Sequence, residues 1–231
     1  MKPLFPFYGS KWRDARRYPP PHNGTVVEPF AGSAGYSTWH APERVTLFDV
    51  DPYVVGVWQY LIGATSAEIL ALPDLEPGQS TDDLDVPQEA RWLIGFWLNR
   101  GSAQPKKTQT AYSTRVDRGQ LVWSQRARDR IASEIDGVRH WTVKEASYDE
   151  VPRIDATYFV DPPYIDKGRY YRFSNVDHNA VGAWCLKLPG RVIACEQEGA
   201  TWLPFRPLAS IKSSKGRSAE VVYTNDEQQV S

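Results

Sequence analysis

The sequence feature that most restricts the fold is a short apolar run that ends at two prolines. Residues 157–160 are β-prone, and Asp161-Pro162-Pro163-Tyr164 follows directly. A proline donates no ladder hydrogen bond and its ring fixes φ, so the pattern predicts a buried strand with a stiff, extended exit. Asp161 would then stand at the carboxyl end of the strand, where open α/β sheets bind ligands. Taken alone, the tetrapeptide also fits a rigid turn.

A second apolar run, residues 25–28, leads into a turn that contains Gly32 and Gly35. Glycine allows positive φ and a close approach of a ligand to the backbone. The next predicted strand, residues 45–48, ends at Asp49, and an acid at this point commonly binds a ribose diol. Each feature alone fits a tight turn or a surface acid. Together they predict a ribose-containing ligand at one edge of the sheet.

These residues resemble the S-adenosylmethionine-dependent adenine-N6 DNA methyltransferases, in particular the Dam-type group (the D12 class). The likeness rests on Glu-Pro-Phe-Ala-Gly-Ser-Ala-Gly at 28–35 and Asp-Pro-Pro-Tyr at 161–164. Residues 6–12 are similar to that group's opening cofactor motif, residues 98–100 to the start of its middle segment, and residues 215–223 to its closing strand. The likeness therefore touches both ends and the centre of the chain.

The resemblance implies an α/β, Rossmann-like methyltransferase fold with a mostly parallel sheet, an antiparallel closing strand and a small inserted target-recognition region. Residues 1–62 and 141–231 would form the catalytic domain, and residues 63–140 the inserted helical and loop region. Within the insert, residues 63–86 are acidic and rich in Pro, Gly and Ser, which predicts a linker or an exposed excursion. Residues 87–98 and 121–136 are predicted to be helical, and residues 211–212 to pair with 220–223.

The resemblance also implies a binding site for S-adenosylmethionine. Tyr8 would attract the sulfonium by a cation–π interaction, and Lys11 would pair with the methionine carboxylate. Glu28 would accept from the cofactor's amino group, and Asp149 would lie near its adenine. Without the resemblance, these residues fit a packed N-terminal arm, a strand-end acid and a helix cap. The predicted cofactor-binding residues are Tyr8, Lys11, Glu28, Pro29, Phe30, Gly32, Gly35, Asp49, Asp149 and Asp161.

The implied reaction is methyl transfer to the exocyclic amine of adenine. The lone pair of that amine is delocalised into the ring, so acceptors for its N–H groups help to direct it at the methyl carbon. The Asp161 carboxylate and the Pro162 carbonyl are the predicted acceptors, and Pro163 keeps the segment extended. The target amine lies inside a duplex, so the base must be flipped out, and Tyr164 would stack on it. The sulfonium is already a cationic leaving group, so no metal is expected.

The distribution of charge predicts a nucleic-acid contact. The chain has a net charge of −1, but residues 99–130 hold eight Lys and Arg residues against two Asp residues, a net +6. Arg and Lys contacts to phosphate provide affinity, and polar side chains at base edges provide specificity. A solvated basic loop is the alternative. The predicted nucleic-acid-binding residues are Asn99, Arg100, Lys106, Lys107, Arg115, Arg118, Arg126, Lys167 and Arg169.

Composition excludes several other classes. The two cysteines form no Cys-x-x-Cys pair and histidines are few, which argues against a zinc site or a disulfide framework. No run of 18 apolar residues and no signal peptide are present. We therefore expect a soluble, cytoplasmic monomer or weak dimer whose partner is duplex DNA, with no membrane partner.

Other functions remain compatible with these motifs. RNA adenine, cytosine-N4 and protein glutamine methyltransferases use related tetrapeptides. A catalytically silent nucleic-acid-binding protein of the same fold would need neither motif intact, and a nicotinamide dehydrogenase would share the glycine turn and Asp49 but not residues 161–164. Restriction–modification, regulation and a mobile-element role all fit the sequence.

Overall fold

The computed structural model of the chain describes residues 1–76, 78–98, 101–108, 122–165, 170–208 and 220–226. Within them, seven strands form one mixed sheet in the order β3-β2-β1-β4-β5-β7-β6. The first five strands pair in parallel, whereas β7 is antiparallel to β5 and β6. The predicted α/β class with a mostly parallel sheet is confirmed. The strands are β1 (Thr25–Glu28), β2 (Arg44–Asp49), β3 (Thr142–Glu145), β4 (Thr157–Val160), β5 (Arg191–Gln197), β6 (Arg206–Pro207) and β7 (Glu220–Thr224).

Helices cover both faces of this sheet, which explains why every residue of β1 and β4 is buried. On one face, Val45 and Leu47 pack in a cluster with residues of α2, α4 and α5. On the other face, Val27 and Tyr158 pack with Trp184 of α6. The helices are α1 (Gly35–His40), α2 (Pro52–Gly63), α3 (Ser66–Ala71), α4 (Gln88–Leu98), α5 (Gln125–Glu134) and α6 (His178–Cys185).

The predicted elements are confirmed to within a few residues where local signals are strong. Helix α2 begins at Asp51-Pro52, a sequence typical of a helix start: Pro52 lies in its first turn and the Asp51 side chain accepts the Tyr53 N–H at 3.0 Å. Helices α4 and α5 lie inside the ranges predicted to be helical. The predicted partner of β7, residues 211–212, lies outside the described residues. Within the described residues, the short strand β6 pairs with β7.

Residues 63–86 are not the exposed linker that their composition predicts. Helix α3 lies in this range, and Thr65 and Glu68 form a capping box at its start. Composition alone gave the wrong prediction because it does not show which side chains are buried. The acidic side chains are mostly exposed, whereas apolar ones are buried and α3 packs on α5. The buried apolar residues among the described part of the segment are Ala64, Ile69, Leu72, Leu75 and Leu84.

The described parts of residues 63–140 share one hydrophobic cluster with residues 1–62. Phe5 and Trp58 from the first range pack with Phe96, Trp97 and Ile131 from the second. Fully burying each of these side chains contributes roughly 1.5–3 kcal/mol to stability. The two ranges are therefore joined by a common core, and the division into a catalytic domain and an insert stays a prediction.

Candidate active site

Four acidic residues meet at one edge of the sheet because of the strand directions. Glu28 and Asp49 end the parallel strands β1 and β2, and Asp161 follows β4. Glu220 begins β7 and pairs in register with Gln197 at the end of β5, because β7 runs the opposite way. This edge is the carboxyl edge at which α/β sheets bind ligands.

A buried lysine occupies the centre of this edge. The Lys11 ammonium lies 2.8 Å from Asp161 Oδ1 and 3.5 Å from Glu220 Oε1, and its side chain is 9% exposed. It also donates to the Gly9 carbonyl at 3.3 Å and lies 4.5 Å from the centre of the Tyr164 ring. Burial alone would lower the pKa of Lys11, but the two carboxylates outweigh it and hold that pKa above its ordinary value. Lys11 is therefore charged.

The pKa of Asp161 also depends on burial and on the contact with Lys11. Burial raises the pKa of Asp161 to about 6, and the charge and hydrogen bond of Lys11 oppose that rise. Asp161 is therefore a carboxylate at neutral pH and becomes a neutral acid under mildly acidic conditions.

Glu220 connects Lys11 to two tyrosines, and motif analysis did not identify it as a site residue. Its Oε1 accepts the hydroxyl protons of Tyr18 and Tyr164, each at 2.8 Å. Tyr164 is thus held at its hydroxyl by Glu220 and contacted on its ring by Lys11. The position of Glu220 in the sequence could have indicated this role, because an acid that begins an antiparallel closing strand lies at the carboxyl edge of the other strands.

The glycine turn binds Asp49 through its backbone. Gly32 has a φ of 45°, its N–H donates to Asp49 Oδ2 at 3.0 Å, and its carbonyl accepts the Trp58 indole N–H at 2.8 Å. Asp49 Oδ1 accepts the Asp51 N–H at 2.9 Å. Burial raises the pKa of Asp49 to about 6, although these hydrogen bonds oppose the rise. Gly32 thus adopts the positive φ that glycine allows.

Gly35, at which glycine would also allow a positive φ, does not adopt one. Ala34 adopts the left-handed conformation instead, with a φ of 47°. Gly35 is required for a different reason: a Cβ there would lie 2.6 Å from the Trp12 backbone nitrogen. Its missing side chain lets residues 11–12, and with them the buried Lys11, pack directly on α1. The group that approaches Gly35 closely in this structure is therefore the backbone of residues 11–12.

Glu28 is buried beneath the same turn. Its Oε1 accepts the Ser37 N–H of α1 at 2.8 Å, and the residue is 2% exposed. Burial raises the pKa of Glu28 to about 8, against the hydrogen bonds from Ser37. Glu28 is therefore largely protonated at neutral pH in the absence of a nearby cation.

Most of the predicted cofactor-binding residues line one cleft. Pro29 and Asp149 are not among its lining residues, and Asp149 is exposed next to Tyr148, whose ring stacks on Phe30. Several lining residues were not predicted: Ser10, Ser33, Asp51, Ala103, Tyr171, Arg172 and Val176. The predicted residues in the cleft are Tyr8, Lys11, Glu28, Phe30, Gly32, Gly35, Asp49 and Asp161.

A second cleft lies against the same N-terminal segment. Residues 7–11 and Tyr171 line both clefts, so they separate one from the other. The predicted catalytic residues are divided between them: Asp161 and Pro163 line the first cleft and Tyr164 lines the second, while Pro162 is buried. The second cleft is also lined by Phe5, Trp97, Arg130, Gln197 and Glu220.

Three of the predicted nucleic-acid contacts can be located, and all three are exposed: Lys106, Lys107 and Arg126. Lys107 pairs with Asp82 at 2.6 Å. Arg128, counted in the same basic segment, is instead buried and binds Asp74 at 2.6 Å, so its role is structural. The other predicted contacts lie outside the described residues: Asn99, Arg100, Arg115, Arg118, Lys167 and Arg169.

The described residues contain neither a metal-binding cluster nor a membrane-spanning helix. Among the described residues, no group of three or more His, Cys, Asp and Glu side chains is arranged to hold a metal ion. In the same part of the chain, no helix has the length and apolar character needed to cross a membrane.

Comparison with solved structures gives distant matches. A conserved hypothetical protein from Streptococcus pyogenes is 12% identical, with 88% of this chain and 86% of that chain covered, at a TM-score of 0.36. No protein-family model and no curated protein matches the sequence. A likeness at this TM-score carries no argument, so the function must be argued from the site itself.

Proposed function

We propose that the protein is an S-adenosylmethionine-dependent methyltransferase that modifies N6 of an adenine flipped out of duplex DNA. The observation that carries the proposal is the junction of two clefts at residues 161–164, with Lys11 between Asp161 and Tyr164. A transfer between two bound molecules requires two compartments that meet at the reacting atoms. The antiparallel β7, which the resemblance implies, supplies Glu220 to the same junction.

The first cleft fits the chemistry of the cofactor. Asp49 already accepts one backbone N–H on each carboxylate oxygen, and the remaining lone pairs can accept ribose hydroxyls. Tyr8 offers an aromatic face to a sulfonium, and Glu28 offers a buried carboxyl to an ammonium. When bound, S-adenosylmethionine supplies an electrophilic methyl group on a cationic leaving group. The contact of Lys11 with the cofactor carboxylate stays a prediction, because Lys11 here faces Asp161 and Glu220.

Asp161 would orient the acceptor amine. Lys11 contacts Oδ1, so we assign Oδ2 and the Pro162 carbonyl to the two N–H groups of adenine N6. These acceptors favour the lone-pair geometry needed for attack on carbon. In the proposed transfer, the nitrogen–carbon bond would form as the carbon–sulfur bond breaks, and the Asp161 carboxylate would take one N–H proton. Fixed positions for both reactants supply much of the rate, since a well-oriented pair avoids the entropy cost of encounter.

The second cleft would receive the flipped base. Tyr164 lies there with its hydroxyl fixed by Glu220, so its ring can stack on a base without a large loss of side-chain entropy. Arg130 lines the same cleft, and its guanidinium lies 5.0 Å from the ring centre of the buried Trp97. A cleft that contains a cation and the Tyr164 ring suits a nucleotide.

The test is an Asp161→Asn variant, which keeps the shape of the side chain and removes its charge. Transfer of labelled methyl groups to unmethylated duplex DNA should fall at least about 100-fold, since an electrostatic contact to the reacting group is lost. The dissociation constant of S-adenosylmethionine should change by less than about 3-fold, a difference under 1 kcal/mol. Both quantities are measured on the same preparations.

Asp155→Asn is the matched control, because Asp155 is exposed just before the amino end of the same strand. It should leave the transfer rate unchanged. An Asp161→Asn protein that transfers methyl groups at the wild-type rate would contradict the proposal.

A further inference from the structure

The segment 161–164 has few ways to be held by its own backbone. Pro162 and Pro163 lack the N–H group, so the peptide units between them cannot donate hydrogen bonds. The Pro163 carbonyl instead meets a side chain: His178 Nε2, in the first turn of α6, lies 2.9 Å away. A residue outside the sheet thus holds the segment on which the proposed chemistry depends.

The orientation of His178 is set by a second group. Its Nε2 also lies 3.6 Å from Oε2 of Glu196, on β5, and the two side chains are 14% and 0% exposed. The Pro163 carbonyl and the Glu196 carboxylate are both acceptors, so Nε2 must carry a hydrogen. The ring is therefore held with its Nε2–H directed at the Pro163 carbonyl.

Glu196 is itself held firmly. Its Oε1 accepts the Gln197 N–H at 2.9 Å, and its Oε2 accepts the Trp202 indole N–H at 3.4 Å. Burial raises the pKa of Glu196, and these hydrogen bonds and the charge of His178 oppose that rise. His178 thus holds the backbone just before Tyr164, at the Pro163 carbonyl, and Glu196 holds His178.

We propose that His178 and Glu196 are positioning residues that fix the Tyr164 ring and the neighbouring carbonyls for the acceptor base; this inference rests on the proposed function. Neither side chain is among the described residues that line the two clefts, so we expect neither to touch the cofactor or the base. Their effect would pass through the Pro163 carbonyl to Tyr164. Loss of the pair should therefore impair the transfer step and leave cofactor binding intact.

The test compares His178→Phe with His178→Gln, whose amide can still donate to the Pro163 carbonyl. His178→Phe should lower the single-turnover rate of methyl transfer about 10- to 100-fold, the range expected for a displacement of about 1 Å. The dissociation constant of S-adenosylmethionine should stay within about 2-fold. His178→Gln should recover most of the rate. Equal losses of rate and cofactor affinity would overturn the proposal.

His140→Phe is the matched control. His140 Nε2 lies 3.4 Å from the Pro42 carbonyl, a similar contact close to the amino ends of β2 and β3, away from the clefts. The His140→Phe variant removes a contact of the same kind, between a histidine ring and a proline carbonyl, and should leave the rate of methyl transfer unchanged. A comparable loss of rate in this variant would overturn the proposal, because it would show that the effect of His178→Phe is general.

Amide hydrogen exchange supplies a measurement that does not depend on activity. His178→Phe should speed exchange at Tyr164 and Ile165, and His140→Phe should not. Unchanged exchange in His178→Phe would overturn the proposal, as would faster exchange with an unchanged transfer rate. A wild-type protein that methylates no nucleic acid would contradict the proposed function instead, and exchange alone would then decide whether the pair holds the segment.

Discussion

At the scale of single residues, Asp161 experiences two opposing influences. Burial favours its neutral acid, while the Lys11 ammonium 2.8 Å away favours its carboxylate. Only the carboxylate form of Asp161 can accept a hydrogen bond from the adenine amine and then take a proton from that amine. The proposed chemistry therefore depends on Lys11, which keeps Asp161 ionised at neutral pH in a buried position.

A pH dependence follows from this balance. The pKa of Asp161 is about 6, so the carboxylate is lost as the pH falls through that value, and kcat/KM should fall with it. A bound sulfonium adds positive charge, so the acidic limb of kcat should lie at lower pH than that of kcat/KM. Lys11→Met should move the kcat/KM limb to higher pH. A limb that does not move in Lys11→Met would contradict the role of Lys11.

Glu28 provides a second prediction. Its pKa is about 8, so it is mostly protonated at pH 7, and a cofactor ammonium placed beside it would stabilise its carboxylate. Binding of S-adenosylmethionine at pH 7 should therefore release up to about one proton. Calorimetric titration in phosphate and in Tris, whose ionisation enthalpies differ, measures that number.

The glutamine variant serves as the control for Glu28. Glu28→Gln has no proton to release, so its binding enthalpy should be independent of the buffer. The assignment of Glu28 would be wrong if this variant released as many protons as the wild type.

At the scale of elements, sequence patterns predicted what depends on local signals. The Asp51-Pro52 helix start, the strand before Asp161 and the apolar spacing of α4 were all readable because capping, proline geometry and periodicity act over a few residues. The linker predicted for residues 63–86 is wrong and the packing role of Gly35 was missed, because both depend on distant partners, namely helix α5 and the Trp12 backbone. Glu220, His178 and Glu196 were missed as site residues for the same reason.

Residues 63–86 should contribute measurably to stability. Asp74 balances Arg128, whose side chain is only 6% exposed, so Asp74→Ala leaves a buried charge without its carboxylate. We expect a loss of about 1–2 kcal/mol in the free energy of unfolding, discounted because Asp74 itself is largely exposed. Denaturant titration measures this change.

A similar pair on the surface serves as the comparison. Lys107 and Asp82 lie as close as Arg128 and Asp74, but both are exposed, so Asp82→Ala should have no measurable effect. Equal effects of Asp74→Ala and Asp82→Ala would show that the stability of α3 and its flanking residues does not depend on the pair formed by Arg128 and Asp74.

At the scale of the whole molecule, the fold brings two clefts to the two sides of residues 7–11, one lined by Glu28 and Asp49 and the other by Arg130 and Tyr164. The parallel order of β1, β2 and β4 brings three acids to one edge, and the reversal of β7 adds a fourth. Motifs indicated the first cleft. The second could not be predicted, because its walls come from residues between 2 and 220 that only the tertiary structure brings together.

Binding to duplex DNA should depend on salt through the exposed basic residues. Lys106→Gln and Arg126→Gln should each weaken binding across all sequences and reduce the slope of log K against log salt by about one unit. Lys187→Gln is the control, since Lys187 is exposed just after α6, which ends at Cys185. Equal changes of slope in all three variants would contradict a local DNA-binding surface.

The most direct test of the central claim is the identity of the methylated nucleoside. Unmethylated duplex DNA is incubated with the protein and labelled S-adenosylmethionine, digested to nucleosides and separated. We predict that the label appears in N6-methyladenine and is absent from the Asp161→Asn reaction. Label in N4-methylcytosine would contradict the assignment of the base, and unlabelled DNA from a protein that binds the cofactor would contradict the assignment of DNA as the substrate.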